Sequence, residues 1–578
     1  MKKFYVKIMP VPFFESRRFI YLKGIKMRNK PYPYEEVYEM ANLKDMIDQK
    51  ALTQARLTAF VYPCDTGEMR KTYFDVREDV NAFGAWMYSK KIRGGKHCVI
   101  LGENSYEWLI AFFATVNGGN IAVAIDKGLP EKEIVDLAHM ADADVAFITK
   151  SYYDKVSKKA ARKVYDLGEF EEILEEGRRI LREGETDYIN YEIEPDDVAM
   201  ILFTSGTSGV SKGVQLTNRN IAFEIVHTSM LYSPKGGVVA ALPFHHAFGL
   251  VVGVIMVFNY GYPIYINKSL KYVKKNMADF GPQTMFLVPM FVEFFHRQIW
   301  AEIDKKGKTT AFKGLMKSTN LLLKTGVDVR KKTYKSILDA FGGNLEYIIC
   351  GGAALDPMYV KEFRTWGIEI LNGYGATECS PVTAVNRPFY HRDGSVGQLV
   401  PGIEAKTTEE GELAFRGELV MKGYYKNPQA TDDALVDRWY MTGDLGYVDK
   451  DNFVFLTGRK KNLIILSNGE NISPEELEMD FARDPAVQEV LVYDEDSKII
   501  AEIFPDEEHM GDATYFEKLK NKVNKGRPTY KQVVRIKLRE KEFIKNATMK
   551  IVRYLNIPGA AEKAEEAIRA AKEAGENK

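Results

Sequence analysis

Cysteine is scarce in this chain of 578 residues: there are four, Cys64, Cys98, Cys350 and Cys379, and no two form a CxxC pair. That spacing excludes a disulfide framework and a thiolate zinc site, and it fits a reducing, cytoplasmic setting. An excess of charge of one sign is also missing. Eighty Lys and Arg balance eighty Asp and Glu, which leaves no charge-based case for nucleic acid or for a polybasic membrane anchor. The longest apolar run, Ala247 to Phe258, has twelve residues. A transmembrane span needs roughly 18, so the run reads as a buried helix. Two lysines open the N-terminus, but no continuous apolar stretch precedes Glu15, which argues against a secretory signal. Met27 is a second candidate start.

What is present is a globular composition, 45% hydrophobic and 28% charged, on a chain too long for one core. From Val76 to Ile148 helices and strands alternate. Val76–Tyr88 and Glu107–Val116 are predicted helices; His97–Leu101, Ile121–Ile125 and Val145–Ile148 are predicted strands. This alternation predicts a parallel sheet covered on both faces. Residues 151–193 are rich in Lys, Glu and Arg and read as a solvated surface excursion. The alternation returns at 238–266, 284–288 and 345–371. From about Ala384 to Leu456, short strands with Gly and Asp turns predict a small antiparallel unit. An α/β segment follows Gly458, its first helix marked by Ser473 at the N-cap, Pro474 at the first position and Glu476 to complete a capping box.

The chemistry is concentrated in a few loops. LFTSGTSGVSKG (202–213) follows an apolar run and offers small hydroxyls, bare backbone N–H groups and one cation, a set that suits a polyphosphate. It lacks the glycine that the Walker pattern places before the lysine, and alone it reads equally as a linker turn. The strand Tyr347–Cys350 runs into Gly351-Gly352-Ala353-Ala354, and a helix capped by Asp356 with Pro357 first follows. Glycines at the carboxyl end of a sheet strand let a flat ligand approach the backbone. The next strand leads into NGYGATE (372–378). There Tyr374 could stack on a purine, Asn372 could bond its edge, Thr377 could meet phosphate and Glu378 could hold Mg²⁺. Asp444, in YMTGDLG, could accept from ribose hydroxyls or simply shape a turn.

Together these segments resemble the adenylate-forming (AMP-binding) superfamily, over about residues 40 to 555. LFTSGTSGVSKG, NGYGATE, YMTGDLG and GRKKNLIILSNGENISPEELE occur in the family's order. Within it the chain is most similar to bacterial long-chain fatty acyl-CoA synthetases, through ENSYEWLIAFFATVNGG, LSNGENISPEELE and NATMKIVR. Departures are small: Met549 stands before Lys550 where a Gly is usual, Ser208 replaces a commoner Thr, and Ser211 a common Pro.

The resemblance implies an α/β fold. A large N-terminal domain (41–458), with α/β subdomains and a small β subdomain (about 384–458), would follow an extension (1–40). A small mobile α+β C-terminal domain (459–555), hinged near Lys461, would precede a charged helical tail (556–578). It implies activation of a fatty acid by ATP to an acyl-adenylate, then transfer to coenzyme A. The alternatives are transfer to acyl carrier protein, an aryl or short-chain acid ligase, and a catalytically silent ATP- or acyl-binding protein. By the same resemblance Thr204, Ser205, Gly206, Thr207, Ser208, Gly209 and Lys212 grip the phosphates. Gly352, Ala353, Asn372 and Tyr374 surround adenine, and Asp444 and Arg459 take the ribose. Thr377 and Glu378 hold phosphate and Mg²⁺, Lys550 bridges the carboxylate and the α-phosphate, and Gly469 lies beside the pantetheine arm. Of His245 and His246 in LPFHHAFG, His245 is favoured to face the acyl carboxylate, with 247–258 and Val288–Phe291 as tunnel walls. Peripheral membrane contact is compatible with the sequence; a transmembrane segment and nucleic-acid binding are not expected.

Overall fold

The structure, a computed structural model, describes residues 34–156, 159–205, 211–466, 470–545 and 551–559. Among them, the strands predicted at 97–101, 121–125 and 145–148 form with those bounds. They lie in a seven-stranded sheet whose parallel core runs Val198–Ser205, Ile121–Ile125, His97–Leu101, Val145–Ile148 and Lys163–Asp166. Ser211–Thr217 adds antiparallel to Val198–Ser205, and Gly423–Tyr424, from two hundred residues downstream, adds antiparallel to that edge.

A second, fourteen-stranded sheet changes character at one strand. Glu369–Gly375 pairs parallel with Tyr347–Cys350 through its first half and antiparallel with Val382–Val385 through its second. The antiparallel unit expected from about 384 to 456 is therefore continuous with the parallel half, through Gly397–Leu399, Phe453–Arg459, Trp439–Val448 and Glu412–Arg416. Asp444 lies in one of these strands, opposite Arg459, rather than in a turn. The helix Asn218–Leu231 packs on Ser211–Thr217 of one sheet and on Val382–Val385 of the other. A helix between two sheets must be apolar all round, which is why Tyr106–Asn117 and the run after Ala247 are buried on nearly every side. That run is a π-helix, Phe248–Met256, continued by Val257–Tyr260. Among the described residues no helix is long and apolar enough to cross a membrane.

The solvated excursion predicted at 151–193 is corrected. Phe170–Arg182 is an amphipathic helix that buries Phe170, Ile173, Leu174, Gly177 and Ile180 against Tyr73–Ser89. Tyr188 is fully buried behind it. The charged residues that dominate the composition occupy only the outer face. The helices approach closely because Gly177 faces backbone: a Cβ there would stand 1.9 Å from the Ala82 carbonyl oxygen.

After Asn462 a smaller body forms: Val487–Glu495, Lys498–Pro505 and Arg535–Leu538 make a three-stranded sheet under Pro474–Ala482 and Ala513–Asn524, with its own core. Ser473 and Pro474 sit where predicted, but the capping box does not form. The Ser473 hydroxyl donates to Glu475 at 2.7 Å, and Glu476 turns away to Arg527 and Lys531. This body touches the larger one through Arg483 on Asp356 and Arg297 on Gln488.

Gly177→Ala should destabilise the protein by about 1–3 kcal/mol, because backbone cannot yield as a flexible side chain would. A lowered denaturation midpoint with unchanged helix content checks this; an unaltered midpoint would show that the helices are free to separate.

Candidate active site

The loops singled out in the sequence lie at carboxyl ends of strands. Gly351 and Gly352 follow Tyr347–Cys350, and Gly373 to Gly375 end the strand at which the large sheet switches from parallel to antiparallel, the usual ligand crevice of an open α/β sheet. Gly352 has φ +89° and is exposed with Ala353, so the shelf is bare backbone. Gly375 is sterically required: a Cβ would meet the Pro381 carbonyl oxygen at 1.9 Å. Asn372 Oδ1 is buried with no hydrogen-bond partner, an acceptor that a nucleobase amine would satisfy.

Two hydrogen-bonded chains order the charged residues. In one, the Tyr374 hydroxyl donates to Asp444 Oδ2 at 2.7 Å, and Arg459 Nε lies 3.3 Å from the other carboxylate oxygen. The Tyr374 phenol is held well above its usual range by burial and by Asp444. In the other, the Tyr424 hydroxyl donates to Glu378 Oε1 at 2.8 Å, while the Lys212 ammonium sits 4.8 Å from the centre of the Tyr424 ring. Lys212 is held in register opposite Thr204. Tyr424 thus stands between the lysine of one predicted phosphate loop and the carboxylate of another. The sequence reading missed it because nothing local in MKGYYKNP links residue 424 to either.

A cavity of about 240 Å³ begins at these loops. Its rim is Gly351, Gly352, Gly373 to Thr377 and His246; its wall is Phe248, Val252 and Met256 of the π-helix with Phe286, Val288 and Phe291; and Thr228 and Tyr232 also line it. The predicted tunnel walls therefore divide, with Leu250, Val251, Val254 and Ile255 packed into the core. The two histidines differ in placement. His246 lines the cavity, whereas His245 is buried with Nε2 3.4 Å from Asp126 Oδ1, its pKa pushed down to about 4 by burial and by Lys127. Asn104, bonded to the Leu242 carbonyl and the Phe244 N–H, fixes the loop that decides which ring faces inward. Behind Thr228 and Val382 lies Glu224, fully buried. It accepts from the Thr228 hydroxyl and the Val382 N–H, and desolvation lifts its pKa to about 8.

Gly206, Thr207, Ser208, Gly209, Gly469 and Lys550 lie outside the described residues, and Ser205 ends a strand as backbone only. Lys550 is bracketed by Lys545 and Ile551, which bridge to each other and are tied down through Glu489 and, via Arg553, Glu478. Lys461 is exposed in the short turn Lys460–Asn462 between the two bodies. Among the described residues no cluster of three or more acidic, His or Cys side chains could hold a metal. A lone carboxylate, Glu378, fits a Mg²⁺ that keeps its waters and takes phosphate oxygens.

The profile of the AMP-binding enzyme family matches residues 47–425. The long-chain-fatty-acid–CoA ligase FadD15 of Mycobacterium bovis is 27% identical over 449 residues, covering 73% of this chain and 74% of that protein. The long-chain-fatty-acid–CoA ligase of Escherichia coli O157:H7 is 26% identical over 509 residues, covering 78% and 82%. Among solved structures, the anthranilate CoA ligase AuaEII with anthranoyl-AMP is similar at a TM-score of 0.71 and 21% identity, covering 90% of this chain and 96% of that one. The o-succinylbenzoate CoA synthetase MenE of Bacillus subtilis with ATP and magnesium ion is similar at a TM-score of 0.70 and 21% identity, covering 88% and 98%. These likenesses bear out the α/β architecture with its smaller second body.

Glu224 ionises near 4.5 when the chain is unfolded and near 8 when it is folded. The folded protein holds the extra proton between those values, so stability should fall as pH rises through that interval and level off above it. Glu224→Gln should flatten the decline, as denaturation midpoints across the interval would report; parallel curves for the two proteins would refute a neutral Glu224.

Proposed function

The chain belongs to the AMP-binding enzyme family and is an AMP-forming acid–CoA ligase; on that premise we propose that its acid is a medium- or long-chain fatty acid. The observation that carries this is the cavity. Its rim is built from the strand-end loops and His246, and Phe248, Val252 and Met256, spaced from one end of the π-helix to the other, line it with apolar side chains. Eight residues of helix advance on the order of 10 Å, deeper than one aromatic ring requires. An acid seated there would place its carboxylate at the rim and its chain among Phe248, Val252, Met256, Phe286 and Phe291.

The reaction joins two anions, since a carboxylate oxygen attacks the α-phosphorus of ATP and pyrophosphate leaves. Coenzyme A thiol then displaces AMP. Neutralising charge and holding reactants in line are therefore the protein's main tasks. In our reading Lys212 and the hydroxyls of the 204–208 loop hold the leaving pyrophosphate, and Thr377 and Glu378 face the phosphates. Bound Mg²⁺ would neutralise phosphate charge beside Glu378. Asp444, oriented by Tyr374, takes the ribose beside Arg459. His246, rather than His245, faces the acyl carboxylate. Lys550, carried by the smaller body, stabilises charge at the reacting centre, and a turn at Lys461 would then swing it away for thioester formation. The Arg483–Asp356 contact is one such swing would have to break.

Pyrophosphate release across a panel of acids should be greatest for medium and long fatty acids, and a preference for benzoate-type acids would replace this reading with an aryl ligase. Coenzyme A and acyl carrier protein assayed side by side separate the two acceptors. Tyr424→Phe removes a hydrogen bond to a charged group, so kcat/KM for adenylation should fall about ten- to a hundred-fold with the fold intact. An unchanged value would make the Tyr424–Glu378 bond incidental. Lys550→Ala should lower carboxylate-dependent pyrophosphate exchange by about a hundred-fold or more while ATP binding persists; full exchange would remove Lys550 from the chemistry.

A further inference from the structure

We propose, resting on the fatty-acid reading of the cavity, that its floor is Tyr232 and that this ring limits the acid to a medium chain, about eight to ten carbons long. The strands Thr284–Leu287 and Tyr347–Cys350 run parallel, with Thr284 beside Tyr347 and Leu287 beside Cys350. Alternate side chains of a strand share a face. Val288 with Gly351, Phe286 with Ile349, and Thr284 with Tyr347 therefore descend one face in three steps. The first two pairs line the cavity and the third does not. Tyr232 stands where the lining stops. It lines the cavity, its hydroxyl oxygen is 2.8 Å from Thr284 Oγ1, and its ring centre is 5.7 Å from that of Tyr347. Met256, at the end of the π-helix away from His246, lines the cavity as well.

The ring is held at both ends. Tyr232 closes the helix Asn218–Leu231 in extended backbone, with its N–H on the Thr228 carbonyl at 3.2 Å. At the other end the Thr284 hydroxyl donates to the Lys235 carbonyl at 3.0 Å and accepts from the Lys235 N–H at 3.3 Å. A hydroxyl has one proton, so it is the Tyr232 hydroxyl that donates to Thr284. Both residues are buried, and a hydrocarbon tail offers no acceptor. A longer chain that displaced the ring would strand a buried phenol. Depth then sets length. The drop of roughly 10 Å along the π-helix holds about eight carbons of extended chain at ~1.25 Å each. Removing the ring would open the step from Phe286 to Thr284, about 7 Å or about five carbons more. Beyond that step the chain turns at the exposed Lys235.

Adenylation, followed as pyrophosphate release over saturated acids from hexanoate to hexadecanoate, should peak near octanoate or decanoate. For hexadecanoate kcat/KM should be lower by roughly ten-fold or more. Tyr232→Ala should move the peak to longer chains by about five carbons. Tyr232→Leu, a milder change for the fold, should move it a smaller step the same way. Tyr232→Phe keeps the ring and should keep the length limit. A tyrosine with a purely structural role would, when replaced, lower every chain length alike. A profile of unchanged shape in the alanine and leucine variants would therefore overturn the proposal. Wild-type protein that uses octanoate and hexadecanoate equally would also overturn it, while leaving the fatty-acid reading in place. Preference for benzoate-type acids over every fatty acid would end both.

Discussion

The segment from Glu418 to Tyr425 joins the two sheets, and the arrangement of the site depends on it. Its backbone is bonded on one side to the phosphate hairpin, Lys422 to Gln215 at 3.0 Å and Tyr425 to Gly213 at 2.7 Å, and on the other to Glu378 through the Met421 N–H at 2.8 Å. Asn220, which also closes the capping box of the helix Asn218–Leu231, donates to the carbonyls of Glu418 and Val420. Because these are mostly backbone bonds in a buried setting, each would leave an unsatisfied group if broken. Tyr424 is thereby fixed between Lys212 and Glu378. A cation and a carboxylate from different sheets are kept apart but aligned, rather than collapsing into a direct ion pair. In our reading that separation is where a triphosphate and its metal belong.

A similar economy governs the cavity. The π-helix presents Phe248, Val252 and Met256 to the cavity and Leu250, Val251, Val254 and Ile255 to the core. One continuous apolar run therefore serves packing and ligand at once, and a long π-helical stretch is uncommon enough to suggest a functional constraint. The histidine pair shows the same division. His245 is buried beside Asp126, where burial and Lys127 disfavour its protonated form, and its neighbour lines the cavity.

Much of this was legible from residue types and order. Short buried strands at 97–101, 121–125 and 145–148 are apolar runs containing Val and Ile, too short for a helix of ordinary length and set off by polar residues and turns. Asp356 and Pro357 start a helix for purely local reasons, and the Asp356 side chain caps the Met358 N–H at 2.7 Å. Where local signals competed, the reading failed. The glutamates and arginines of 170–182 outnumber its apolar stripe, yet the stripe decides the packing. Ser473 had two carboxylates within reach, and the fold drew Glu476 to Arg527 instead. The balance of eighty charges against eighty hid a basic segment, ten Lys and Arg against Asp328 over residues 305–335, because a sum over the chain says nothing of where charges lie.

The sequence by itself determined the α/β class and the order of the ligand loops, since these rest on the spacing of apolar and turn residues along the chain, while the grouping of Lys212, Glu378, Asp444 and Arg459 is what the family resemblance of those loops implies. Tertiary structure decided what depends on approach between distant segments. It set which histidine turns inward, it brought Tyr424 from two hundred residues away to the phosphate hairpin, and it gave the cavity its depth. Those outcomes follow from packing two sheets around one layer of helices, and no local run of residues encodes the distance between two sheets.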